Sequence, residues 1–313
     1  MRHLPVFKLA PMPLPLPSSP IGVFDSGIGG LSVLRALRAA LPHERFVYLA
    51  DSANAPYGER GDAYVSARTH AITRYLLEKH GIKALVVACN TATAAAIHEV
   101  RQSYPQLPSV GLEPAIKPAV ASSQTGRIGV IGTRGTLTSQ KFSRLLQSLQ
   151  HQATFVVQPC DGLAYAIERE TEHAESPTAS LSEVKSLCTQ YVEAMRPFGT
   201  QAGEIDTLVL GCTHYIFAEQ ELRALVGPDV HLVETGEPVA RQTHRLLESA
   251  HMLATNDSGS TTPQGNITLL TTGSLAPLRA AAQRWLQLPA ECCAWADVSA
   301  SRLDPEQKTA LAQ

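Results

Sequence analysis

The chain has 313 residues, 44% hydrophobic and 17% charged, with a formal net charge of −2. That composition suits a globular protein with a sizeable core and leaves room for two ordinary domains. No broad basic field points to nucleic acid, and no run approaches the ~18 consecutive apolar residues of a membrane helix. The cysteines, at 89, 160, 188, 212, 292 and 293, form neither a CxxC pair nor a regular framework. Reduced thiols, no metal site and a cytoplasmic location are the expectation.

The first residues, MRHLPVFKLAPMPLPLPSSP, begin basic and contain apolar positions, as a targeting segment would. Prolines at 5, 11, 13, 15, 17 and 20 interrupt any apolar core, so residues 1–19 read as a disordered, Pro-rich tail. Ile21 to Asp25 (IGVFD) is a short apolar strand ending in a carboxylate, followed by Ser26-Gly27-Ile28-Gly29-Gly30 and a helix, Leu31 to Leu41. The glycine spacing matches neither dinucleotide nor P-loop fingerprints, and an aspartate at the strand end repels phosphate. The turn is expected to bring its backbone close to a small ligand that Asp25 and Ser26 face. Phe46 to Ala50 is a second strand, Asp51 to Gly61 a loop with Tyr57 and Gly58 at its centre, and Ala63 to His80 a helix capped by Gly81.

Ala84 to Ala88 has the continuous apolar pattern of a strand buried on both faces, and Thr91 to Val100 reads as a helix. Cys89 and Asn90 fall between them, at the carboxyl end of a parallel strand, where ligands bind in open α/β sheets. A thiol there faces the positive end of a helix, which favours thiolate. After a strand at Ser109 to Glu113, a new run begins at Arg127 to Gly132, with a helix through about Gln150 and a strand at Thr154 to Gln158. Helices at Gly162 to Arg169 and Leu181 to Met195 flank a loop, Thr171 to Ser180. The strand–cysteine–helix pattern then returns: Asp206 to Gly211, Cys212-Thr213-His214-Tyr215, and a helix at Ala218 to Val226. A strand at His231 to Glu234, a helix at Val239 to Leu253, a polar loop at Thr255 to Asn266, a strand at Ile267 to Thr271, a helix at Leu275 to Leu286 and a loose tail, 299–313, complete the chain.

Strands alternate with helices throughout, so the fold class is α/β with mainly parallel sheets and right-handed crossovers. Two such domains with a cleft between them let both thiols meet one ligand. Inverting a carbon that bears hydrogen requires proton removal on one face and delivery on the other, and one thiolate with one thiol does both without movement. Asp25 and His214 are placed to relay protons for the two cysteines. Ser26, Asn90, Thr91, Thr213 and the Gly58 backbone are candidates to hold a carboxylate and an ammonium.

Asp25-Ser26-Gly27-Ile28-Gly29-Gly30, Pro56-Tyr57-Gly58, Cys89-Asn90-Thr91-Ala92, Glu113-Pro114-Ala115 and Gly211-Cys212-Thr213-His214-Tyr215 occur in that order. Together they resemble the glutamate racemases of bacterial cell-wall synthesis, over roughly Ile21 to Leu286. The resemblance implies a cofactor-independent enzyme with Cys89 and Cys212 as its acid/base pair. It implies substrate contacts at Asp25, Ser26, Tyr57, Gly58, Asn90, Thr91, Thr213 and His214. It also implies a first α/β domain of 20–114 plus 229–288, a second of 115–228, and an active site between them. A homodimer and an activating cell-wall precursor enter as candidate partners on the same ground; the residues read alone leave both open. Where the family often has proline after Tyr215, this chain has Ile216-Phe217.

Blander readings apply elsewhere. Cys160, Cys188, Cys292 and Cys293 read as small buried hydrophobes, and Glu168 as part of a solvated helix face. Asp25 as a helix cap, and Asp51 and Glu113 as catalytic or structural, stay open. Two rival functions also stay open: a hydrolase or amidotransferase with Cys89 as covalent nucleophile and a His base, and a non-catalytic binding module.

Overall fold

The computed structural model describes residues 15–172, 177–254 and 266–298. Most of the expected tail at 1–19, the C-terminal tail at 299–313, the middle of the expected Thr171 to Ser180 loop and nearly all of the Thr255 to Asn266 loop lie outside the described residues.

The chain runs β1 (Ile21–Asp25), α1 (Leu31–Ala40), β2 (Phe46–Ala50), α2 (Asp62–His80), β3 (Ala84–Val87), α3 (Asn90–Ser103), β4 (Ser109–Gly111) and α4 (Ile116–Ser122). It continues β5 (Arg127–Gly132), α5 (Arg134–Leu137), α6 (Gln140–Leu149), β6 (Thr154–Pro159), α7 (Leu163–Glu172), α8 (Pro177–Glu193), β7 (Thr207–Leu210), α9 (Glu219–Val226) and β8 (His231–Val233). Last come α10 (Gly236–Ser249), β9 (Ile267–Thr271), α11 (Leu275–Leu286) and β10 (Cys293–Trp295).

Among the described residues ten strands form two parallel sheets, ordered β10-β9-β2-β1-β3-β4 and β6-β5-β7-β8. Each sheet separates two apolar clusters, so its strands are covered on both faces and need no polar alternation. β1 and β3 register side by side, Phe24 opposite Val87, which sets Asp25 and Cys89 at the same edge of the first sheet. β7 pairs with both β5 and β8, which places Cys212 at the corresponding edge of the second.

Several boundaries move for local reasons. His231–Val233 pairs with β7 in the four-stranded sheet, so the return at residue 229 is placed too early. The chain rejoins the first unit with α10, which packs on α1. α10 starts at Gly236 rather than Val239, because Pro238 falls in the first turn, where its missing N–H costs nothing. Thr171, Glu172 and Pro177 to Ser180 are helical rather than loop. β10, a three-residue edge strand parallel to β9, extends the first unit beyond residue 288. Gly81 caps α2 in the left-handed conformation, φ 57°.

Candidate active site

α3 begins directly after Cys89, which serves as its N-cap: the sulfur accepts from Ala92 N–H at 3.4 Å. The Cys89 thiol also lies 3.9 Å from Ser26 Oγ. This capping bond is the interaction that favours thiolate at a helix start. Here it loses. Burial, then the Asp25 charge, push the Cys89 thiol well above its ordinary range and favour the thiol form, contrary to the expectation of a lowered value.

Asp25 is fully buried and its carboxylate is fully engaged. Oδ1 accepts Ser26 N–H at 2.6 Å, while Oδ2 accepts Gly30 N–H and, from the other unit, Thr213 Oγ at 3.1 Å. Burial raises its pKa, opposed by the nearby His214. Asp25 therefore braces the glycine turn as well as facing the site.

The second thiol has a different neighbourhood. Cys212 Sγ is 3.7 Å from His214 Nδ1, and His214 Nε2 is 2.8 Å from Glu168 Oε1. Burial alone would lower the His214 pKa, yet hydrogen bonds to Cys212 and Glu168 outweigh it and hold the imidazole well above its usual value. Glu168 is depressed although burial opposes it, because His214 and the Ile28 N–H, 2.8 Å away, stabilise its carboxylate.

Glu168 is not on a solvated face. Its side chain is 20% exposed and its partners come from the first unit and from the Cys212 loop. The glycine turn explains how it fits. A Cβ at Gly27 would lie 1.7 Å from Glu168 Oε1, and one at Gly29 would lie 2.4 Å from His214 Nδ1. These glycines admit side chains of the opposite unit rather than only a ligand.

Asp25, Ser26, Tyr57, Gly58, Cys89, Asn90, Thr91, Cys212, Thr213 and His214 all line one cavity between the two sheets, together with Glu168, Thr133 and Cys160. Asn90, 5% exposed, has neither its amide nitrogen nor its oxygen paired, so it offers a donor and an acceptor. Thr91 Oγ is 3.1 Å from Thr133 Oγ and 3.4 Å from Thr136 Oγ, joining α3 to α5 across the cleft. The Tyr57 hydroxyl turns away to Asp51 at 2.6 Å, leaving its ring as cavity wall.

Asp51 is structural: Arg68 grips it at 2.7 and 3.0 Å, and Thr272 donates to it at 2.9 Å. Glu113 is a half-exposed partner of Lys141 and lies outside this cavity. The histidine that lines the cavity faces Cys212, so the Cys89-nucleophile reading is left without its base among the described residues.

A sequence profile of the Asp/Glu/hydantoin racemase family matches residues 21–243. A glutamate racemase of Ectopseudomonas mendocina is 47% identical over 243 residues, 78% of this chain and 88% of that protein. The chain belongs to this family, in its glutamate racemase branch. A relative from Stutzerimonas stutzeri is 45% identical over 241 residues, covering 77% of this chain and 86% of its own length. Among solved structures, a glutamate racemase isoform of Bacillus anthracis matches with a TM-score of 0.74 at 31% identity, over 89% of this chain and 97% of that one. The Escherichia coli glutamate racemase, solved with L-glutamate and the activator UDP-MurNAc-ala, matches with a TM-score of 0.71 at 29% identity, over 85% and 95% of the two chains. The family's α/β architecture accounts for both parallel sheets. No helix among the described residues is long and apolar enough to cross a membrane.

Proposed function

We propose that Cys89 and Cys212 interconvert L- and D-glutamate by a two-base mechanism with no cofactor. The observation that carries this reading is a pair of free, buried thiols, 5% and 8% exposed, at matching strand ends of two different sheets and lining one cavity between them. One thiolate takes the α-proton, and the Cα–H electron pair moves toward the α-carboxylate. The other thiol gives its proton to the opposite face, which leaves thiol and thiolate exchanged and ready for the reverse direction. Each such general acid or base is worth about 10²–10⁴ in rate.

The two thiols have different settings. Burial and Asp25 favour the thiol form of Cys89, while Cys212 lies 3.7 Å from His214, whose imidazole is in turn held by Glu168. Asn90, with its unpaired amide, Ser26, Thr91 and Thr213 hold the substrate carboxylates. Tyr57 and Gly58 close the cavity over the side chain, and Asp25 attracts the ammonium. Buried donors aimed at developing carboxylate charge lower the barrier without reorganising.

D-Glutamate supply for peptidoglycan, a cytoplasmic location that keeps both thiols reduced, a homodimer and an activating uridine-diphosphate-linked cell-wall precursor are part of the same proposal. Purified protein should racemise L-glutamate without added metal or coenzyme, and Cys89→Ser and Cys212→Ser should each abolish turnover. Substantial turnover in either variant would remove that cysteine from the mechanism.

A further inference from the structure

One peptide group, the Gly27–Ile28 unit, is gripped on both sides. Tyr48, in β2 and fully buried, donates its hydroxyl to Gly27 O at 2.6 Å. The Ile28 N–H of the same peptide bond is the one that donates to Glu168. A trans peptide is planar, with its C=O and N–H pointing in opposite directions, so pinning one sets the aim of the other. From Glu168 the line of contacts continues through His214 to Cys212. It crosses between the two units at the Ile28–Glu168 hydrogen bond.

We infer that Tyr48 is a positioning residue for racemisation: by holding the Gly27 carbonyl it aims the Ile28 N–H at Glu168, and so keeps that carboxylate on His214 beside Cys212. This rests on the two-thiol reading above. The turn needs such a tie because glycines at 27 and 29, required by the close approach of Glu168 and His214, leave its backbone free to rotate. Asp25 secures the two ends of the turn through Ser26 N–H and Gly30 N–H. The carbonyl between them is Tyr48's. Donation into that carbonyl also polarises the peptide and strengthens the hydrogen bond on its far side. Burial, then the charges of Asp25 and Glu168, raise the Tyr48 pKa well above the ordinary phenol value, so it stays a donor. The titratable groups facing His214 are Glu168 from α7, Asp25 from the end of β1 and Cys212 of its own segment.

Tyr48→Phe keeps the ring and removes the hydroxyl. In the full chain it should lower kcat about tenfold in both directions and leave KM within about twofold. The His214 imidazole, followed by NMR, should titrate at lower pH, as it should in Glu168→Gln. Placed in the Glu168→Gln background, Tyr48→Phe should cost nothing more, since it acts through Glu168. Unchanged kcat, an equal additional loss in that background, or a lowered Tm with an unmoved imidazole titration would each overturn the assignment. A second measurement needs no substitution: in the parent protein the Ile28 amide should exchange slowly and its shift should follow the His214 titration. Fast exchange with no such shift overturns the inference even if Tyr48→Phe folds poorly. A parent that racemises while Tyr48→Phe is unaffected removes Tyr48 alone; a parent that does not racemise removes the two-thiol reading.

Discussion

Gly27→Ala puts a methyl group where the Glu168 carboxylate now sits. The new Cβ would fall 1.7 Å from Oε1, 2.6 Å from Cδ and 3.0 Å from Oε2. Ordinary contact lies near ~3.5 Å, so the carboxylate has to withdraw by about 2 Å. It ends a flexible side chain, so it can do so without disturbing the sheets. Fold and catalysis therefore separate. What is lost are the 2.8 Å hydrogen bonds to Ile28 N–H and to His214 Nε2. Hydrogen bonds to charged groups are worth about 1.5–3 kcal/mol each, and withdrawal to water returns part of that, which leaves a barrier increase of about 2–4 kcal/mol. At 1.36 kcal/mol per decade, kcat should fall about 30- to 10³-fold. Racemisation followed by circular dichroism, with Tm measured alongside, gives the test. Gly61→Ala serves as control, since its Cβ meets nothing within 4 Å, and it should keep parental activity. A folded Gly27→Ala protein within about threefold of parental kcat would refute the role given to Glu168.

The His214–Glu168 pair predicts a pH signature. His214 is raised above its ordinary value of 6.5, so its stabilisation is full below that value and fades as pH rises through the folded pKa. Glu168 is lowered from 4.5, so its stabilisation is present above that value and fades as pH falls through the folded pKa. The Tm difference between the parent and Glu168→Gln should peak near neutrality and shrink toward both extremes; a flat difference from acid to alkali contradicts the pairing. Separately, Arg68→Ala strips the fully buried Asp51 of its two-point partner and should cost about 3–5 kcal/mol in urea unfolding. A cost under about 1 kcal/mol would mean that Asp51 is held by its hydroxyl and amide neighbours instead.

What could be read from the sequence was what is local. Cys89 and Cys212 each follow an apolar strand and precede a helix, and that pattern alone marks the carboxyl ends of two parallel strands. Glu168 gave no such signal. It sits in a run, Ile167-Glu168-Arg169-Glu170, that resembles any solvated helix face, and its partners lie 46 and 140 residues away. The rise of the Cys89 pKa is hidden from the sequence for the same reason. The helix start is visible in sequence, but burial and the Asp25 charge depend on how the strands assemble. The glycines of the turn were legible as a close approach, and what approaches turned out to be side chains from the other sheet. Three-residue strands such as β8 and β10 carry too few positions for periodicity to assign them to a sheet.

The two-base claim is tested most directly by running racemisation in D₂O from each pure enantiomer and stopping early. Two sulfurs with separate duties predict product that carries deuterium at Cα while recovered substrate remains protiated, in both directions. Deuterium entering substrate and product pools at equal early rates would mean that a single group serves both faces, and Cys89 and Cys212 would then lose their paired roles.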